Sequence, residues 1–120
     1  MPVLAAVEDF LFRSKIRATA KQLGVDIAFA QVPGEILSKA RELNPSLIII
    51  DLNGIKTTPR PTLESLKSDP GTSSIPVLGF VSHIDTAGIE AARRAGADEV
   101  LARGGFAANL AEILRSASSP

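Results

Sequence analysis

Short apolar runs alternate with longer amphipathic stretches from one end of this chain to the other, and no other feature narrows the possible fold as much. Val3 to Val7 is apolar throughout and stops at Glu8-Asp9, the pattern of a strand covered on both faces. Phe12, Ile16, Ala20 and Leu23 then recur at helical spacing, with Gly24 where a helix C-cap falls. Val25 to Phe29 reads as a second strand. Pro33 opens a helix with Ile36, Leu37, Ala40 and Leu43 on one face, ended by Asn44-Pro45. Leu47 to Ile50 is a third strand, terminated by Asp51, and Leu63, Leu66 and Lys67 mark a short helix closed by the Asp69-Pro70-Gly71 turn. Val77 to Val81 is the fourth strand and Asp85 to Ala95 the fourth helix. Gly96-Ala97 leads into a short strand at Val100-Leu101, and Phe106, Leu110, Ile113 and Leu114 share one face of a final helix.

A β-α unit repeated in this way implies an α/β fold, a parallel sheet with helices on both faces. In such open sheets ligands bind outside the carboxyl ends of the strands. Glu8, Asp9, Asp51, Val81-Ser82 and Arg103 should therefore converge on one rim. With 120 residues the chain is expected to be one domain, 1–120, large enough to fold without staples. The lack of cysteine excludes disulfides, thiolate zinc sites and thiol nucleophiles. Thirteen basic residues balance thirteen acidic ones, so the overall charge gives no reason to expect nucleic acid or an anionic membrane as partner. Met1 to Phe10 lacks the marks of an export signal, and no apolar run nears the length of a membrane span. A cytoplasmic location is the expectation. Phosphate-binding glycine motifs are missing, and with five Phe, no Tyr and no Trp, stacking platforms for bases are scarce. Ser116 to Pro120 is expected to fray.

Chemistry concentrates in the acidic residues of the rim. Three carboxylates brought together cannot all stay ionised cheaply without a cation, because each raises the pKa of the others. A hard divalent metal with oxygen ligands resolves this, and Mg²⁺ suits a sparse carboxylate set. Such a metal would also screen an incoming phosphoryl group and let Asp51 act as a nucleophile. The plainer alternative is that Glu8 and Asp9 cap the first helix while Asp51 starts a turn. His83 at the same rim is a candidate general base or, more simply, an exposed loop residue.

Val-Glu-Asp-Phe after the first strand, Pro-Ser-Leu-Ile-Ile-Ile-Asp-Leu-Asn in the third, Ile-Pro-Val-Leu into the fourth and Ala-Gly-Ala-Asp-Glu-Val-Leu before Arg103 together resemble the bacterial response-regulator receiver domain, over nearly the whole chain. The resemblance implies a flavodoxin-like (βα)5 sandwich with strand order 2-1-3-4-5. It makes Asp51 the phospho-acceptor, with Glu8, Asp9, Asp51 and the Asn53 backbone carbonyl around Mg²⁺. The implied partners are a sensor histidine kinase or phosphotransfer protein upstream and a further protein downstream. No second nucleophile-base pair is visible, so a signalling protein is expected, not an enzyme. Four positions depart from the family pattern. Val81 stands where receivers carry Thr or Ser, with Ser82 one residue later as a displaced hydroxyl. Arg103 replaces the family Lys, Gly104-Gly105 the Pro after it, and Val100 the switching aromatic. Arg can pair with phosphoryl oxygens, but as a wider, permanently charged fork. These departures favour an alternative: a pseudo-receiver that binds protein without phosphorylation. In the loop after Asp51, Pro59 and Pro61 should delay the third helix, while Lys56 and Arg60 are either partner contacts or solvated.

Overall fold

The structure, a computed structural model, describes residues 2–82 and 85–118. Its strands are β1 (Val3–Ala6), β2 (Ile27–Phe29), β3 (Leu47–Asp51), β4 (Val77–Val81) and β5 (Glu99–Ala102). They form one parallel sheet in the order β2-β1-β3-β4-β5. The helices are α1 (Phe10–Leu23), α2 (Pro33–Leu43), α3 (Pro59–Ser68), α4 (Thr86–Ala95), α5 (Arg103–Ala108) and α6 (Leu110–Ser118). This is the expected α/β sandwich with the expected strand order.

The period of two along each strand sorts the core into two layers. Leu4, Ala6, Ile48, Ile50, Val77 and Val81 face α2, α3 and α4, where Ile36, Leu63, Leu66 and Ala92 meet them. Val3, Ala5, Ile49, Leu78 and Phe80 face the other way, against Phe12, Ile16, Phe106, Leu110 and Leu114. Both faces are therefore covered, which is why the inner strands β1, β3 and β4 are apolar apart from Asp51 at the end of β3.

Helix ends follow local chemistry. Gly24 and Asn44 close α1 and α2 in the left-handed conformation, at φ 70° and 45°. Three expectations need correction. Pro59 and Pro61 do not delay α3: they lie inside its first turn, where the backbone N–H groups have no helical partner to lose. The last helix is two pieces, broken at Asn109, whose N–H and side-chain amide both turn back to the Gly105 carbonyl. Of the stretch expected to fray, residues 116–118 continue α6, and Ser119 and Pro120 lie outside the described residues. Among the described residues no helix is long and apolar enough to cross a membrane.

Candidate functional site

Parallel strands deliver their carboxyl ends to one edge, and the expected residues meet there. Asp51 ends the central strand, and Glu8 and Asp9 follow β1 directly. Ser82 follows β4, and Arg103 begins α5 immediately after β5. Beneath them Phe12, Phe80 and Phe106 form an aromatic floor. Phe12 meets Phe80 edge-on at 5.0 Å and Phe106 at 5.6 Å, while Phe80 and Phe106 stack at 4.8 Å.

Asp9 has two jobs. Its Oδ1 accepts the Phe12 N–H at 3.0 Å and so caps α1. Its Oδ2 accepts from Arg103 Nη2 at 2.9 Å, and the guanidinium also lies 4.7 Å above the Phe12 ring. The Phe12 N–H first, and then Arg103, hold the Asp9 carboxyl below the usual carboxylate range.

Glu8 reaches across to the loop after β3. Its two oxygens accept the N–H groups of Ile55 and Lys56, both at 2.6 Å. Gly54 makes that approach possible: a Cβ there would lie 2.5 Å from Glu8 Oε2 and 2.5 Å from Thr57 Oγ1. The same loop buries the Thr57 hydroxyl with no hydrogen-bond partner among the described residues. It ends on Thr58, held at φ 38°, an unusual conformation for a β-branched residue.

Asp51 does start a turn, in which its Oδ1 accepts the Asn53 N–H at 2.9 Å. Its other oxygen accepts no hydrogen bond among the described residues. Burial raises the Asp51 pKa, opposed by the Asn53 N–H and the Arg103 charge and reinforced by Glu8 and Asp9. Asn53 turns its side-chain oxygen to the Ser82 N–H at 2.6 Å, tying the β3 loop to the end of β4. Ser82 is exposed just beyond β4, while Val81 and Val100 are both buried in the core layer under α4. Lys56 and Arg60 are exposed. His83 lies outside the described residues.

Among the described residues, no three His, Cys, Asp or Glu side chains are gathered into a set that could hold a metal ion. The carboxylates expected around Mg²⁺ share one rim, but Glu8 is spent on the loop and Asp9 on α1 and Arg103. As arranged, these residues do not fit the metal. The Glu8 contact escapes sequence reasoning because its partners are backbone groups 47 and 48 residues away; Gly54 is the one local sign of it.

A cleft of about 340 Å³ opens beside the rim between α3 and α4, lined by Asn53, Arg60, Val81 and Asp85 among others. A larger one, about 600 Å³, lies at the opposite end of the sheet between α6 and the starts of β3, β4 and β5, and takes no part in the chemistry of the rim.

No family model and no curated protein matches the chain. Solved structures do. The chemotaxis response regulator CheY4 of Vibrio cholerae superposes with a TM-score of 0.83 at 20% identity, with 97% of each chain covered. The phosphorylated cyanobacterial phytochrome response regulator RcpA gives 0.78 at 19% identity, covering 96% of this chain and 89% of its own. The Mn²⁺-bound form of response regulator Rcp1 gives 0.80 at 16% identity, covering 98% and 97%. The fold is that of the receiver domains of response regulators.

Proposed function

We propose that this chain is a receiver-type signalling domain whose Asp51 accepts a phosphoryl group from a sensor histidine kinase or a phosphotransfer protein. The observation that carries the reading is the free oxygen of Asp51. The carboxylate is fixed at the end of the central strand, with Oδ1 tied to Asn53 and Oδ2 without a donor among the described residues. In the transfer, that oxygen would form the new O–P bond as the N–P bond of a phosphohistidine breaks. The electron pair of the broken bond stays on the imidazole nitrogen, which takes a proton from water. The Arg103 guanidinium supplies positive charge beside the acceptor.

The rim also suits a protein partner. Phe10, Leu11, Val32 and Ile55, exposed by 67%, 77%, 47% and 87%, all lie at the starts of helices or loops on this edge. Phosphorylated RcpA and Mn²⁺-bound Rcp1 share the fold, and the resemblance would add Mg²⁺ here. With the ligand set unassembled, no step is assigned to a metal. As a receiver, the domain would work inside the cell, with its kinase.

A second reading has its own support. The Arg103–Asp9 pair, together with Val81 and Val100, suits a pseudo-receiver that docks a protein through the same rim without phosphorylation. Intact-mass measurement after exposure to an acyl phosphate separates the two. The first reading expects one added phosphoryl mass, lost in Asp51→Asn. An unmodified mass under conditions that label an ordinary receiver would leave the second.

A further inference from the structure

We propose that the Arg103 guanidinium is the resident cation of this acidic rim, and that the resting site therefore takes up no divalent metal. Consider the six oxygens of Glu8, Asp9 and Asp51. Both of Glu8 accept loop N–H groups, both of Asp9 are taken by Phe12 N–H and Arg103, and one of Asp51 by Asn53 N–H. One oxygen remains. Mg²⁺ demands near-octahedral oxygen coordination at about 2.0–2.1 Å, and gives up its own water reluctantly. To gather these carboxylates it would have to strip Asp9 from Arg103 and pull Glu8 off the loop.

Arg103 is badly placed to yield. Its charge cannot be lost by deprotonation, as a lysine's can. Its guanidinium lies over Phe12, which packs edge-on against both Phe80 and Phe106. Glu8 is equally committed, since releasing it leaves two N–H groups without partners and undoes the fit around Gly54. The same charge that repels a metal neutralises part of the carboxylate cluster, which is the task a metal would otherwise perform. The inference concerns the metal alone and holds whether or not Asp51 is phosphorylated.

Amide NMR of the whole chain, titrated with MgCl2 in the absence of any phosphodonor, tests it. No saturable shift should appear at residues 8–9, 51–56 or 103 at millimolar Mg²⁺. Mn²⁺ should broaden these amides no more than those around Glu42, an exposed carboxylate far from the rim. Arg103→Met keeps an apolar stem on Phe12 and removes the charge; it should gain saturable Mg²⁺ binding at least about tenfold tighter than the parent. Saturable shifts or selective Mn²⁺ broadening at Asp9 and Asp51 in the unaltered protein would overturn the proposal. So would a folded Arg103→Met protein that still ignores Mg²⁺. The Mn²⁺ comparison needs no variant, so the proposal stays testable even if Arg103→Met fails to fold. A mass shift on phosphodonor treatment is a separate readout, so loss of the phospho-acceptor reading would not be mistaken for loss of this one.

Discussion

Asp9 and Asp51 sit on the same rim with pKa values displaced in opposite directions, and the two should answer acid oppositely. The Asp9 carboxyl is held low by the Phe12 N–H and Arg103. Its contribution to stability is complete above the unfolded value of about 3.9 and is lost as pH falls through the folded value. Both partners of the Arg103 pair are about two-fifths exposed, at 43% and 39%, so solvent screens it; the pair is worth no more than about 1 kcal/mol. Asp51 runs the other way. Burial lifts its pKa, so its charge costs stability at neutral pH, and the cost is relieved as pH falls through the raised folded value. Asp51→Asn keeps an acceptor for the Asn53 N–H and removes the buried charge. It should raise the melting temperature at pH 7, with the gain shrinking on acidification towards the pH at which Asp51 protonates; melting curves across that range check the sign. Thr57 offers a second gain. Its buried hydroxyl has no partner among the described residues, so Thr57→Val, of the same shape, should stabilise by about 1 kcal/mol in urea unfolding.

At the scale of elements, the middle of the loop between β3 and α3 hangs on the Glu8 carboxylate, which takes both the Ile55 and the Lys56 N–H. Gly54→Ala would place a methyl group against Glu8 Oε2, Thr57 Oγ1 and, at 3.2 Å, the Asp51 carbonyl. It should cost about 1–3 kcal/mol and free the Ile55 and Lys56 amides for hydrogen exchange, which reads the loss directly. In α5 the balance is reversed. Nothing lies within 4 Å of where a Cβ would sit on Gly105, so Gly105→Ala should add about 0.5–1 kcal/mol. The elements were largely legible in the sequence because a parallel sheet covered on both faces demands unbroken apolar strands, and Ile48-Ile49-Ile50 or Val3-Leu4-Ala5 can do little else. The shared rim followed from the same geometry. What stayed hidden depended on contacts distant in sequence or on signals that pointed two ways. Phe106, Leu110 and Leu114 keep one helical stripe straight through the break at Asn109, so periodicity alone joins α5 to α6. Pro59 and Pro61 looked like obstacles, yet the first turn of a helix is the place where a proline costs least. The Asp9–Arg103 pair was invisible because a cation expected to face a phosphoryl group turned instead to the nearest carboxylate.

Across the whole molecule, what matters is whether a change at Asp51 can reach the far surface formed by α4, β5 and the last helices. A switch needs an element with two favoured states whose balance the local event can bias. The path from Asp51 runs through β4 and β5, where Val81 and Val100 share one core layer with Ala92 of α4. Each of the two valines is 8% exposed, and a β-branched side chain has little freedom about χ1. Neither carries a hydroxyl to follow a phosphoryl group or a ring to swing into vacated space. Leu52 lies over Gly79, where a Cβ would meet Leu52 Cδ1 at 2.6 Å. Two valines without a second rotamer of different reach transmit little. Attaching a phosphoryl mimic at Asp51 should therefore change the affinity of a partner docked on the α4–β5–α6 surface by less than about tenfold, a coupling below roughly 1.4 kcal/mol. Amide shifts should stay within the rim, from Glu8 to Phe12 and from Asp51 to Thr58. Large, concerted shifts running from Asp85 to Leu114 would reveal a second state of this layer and defeat the prediction.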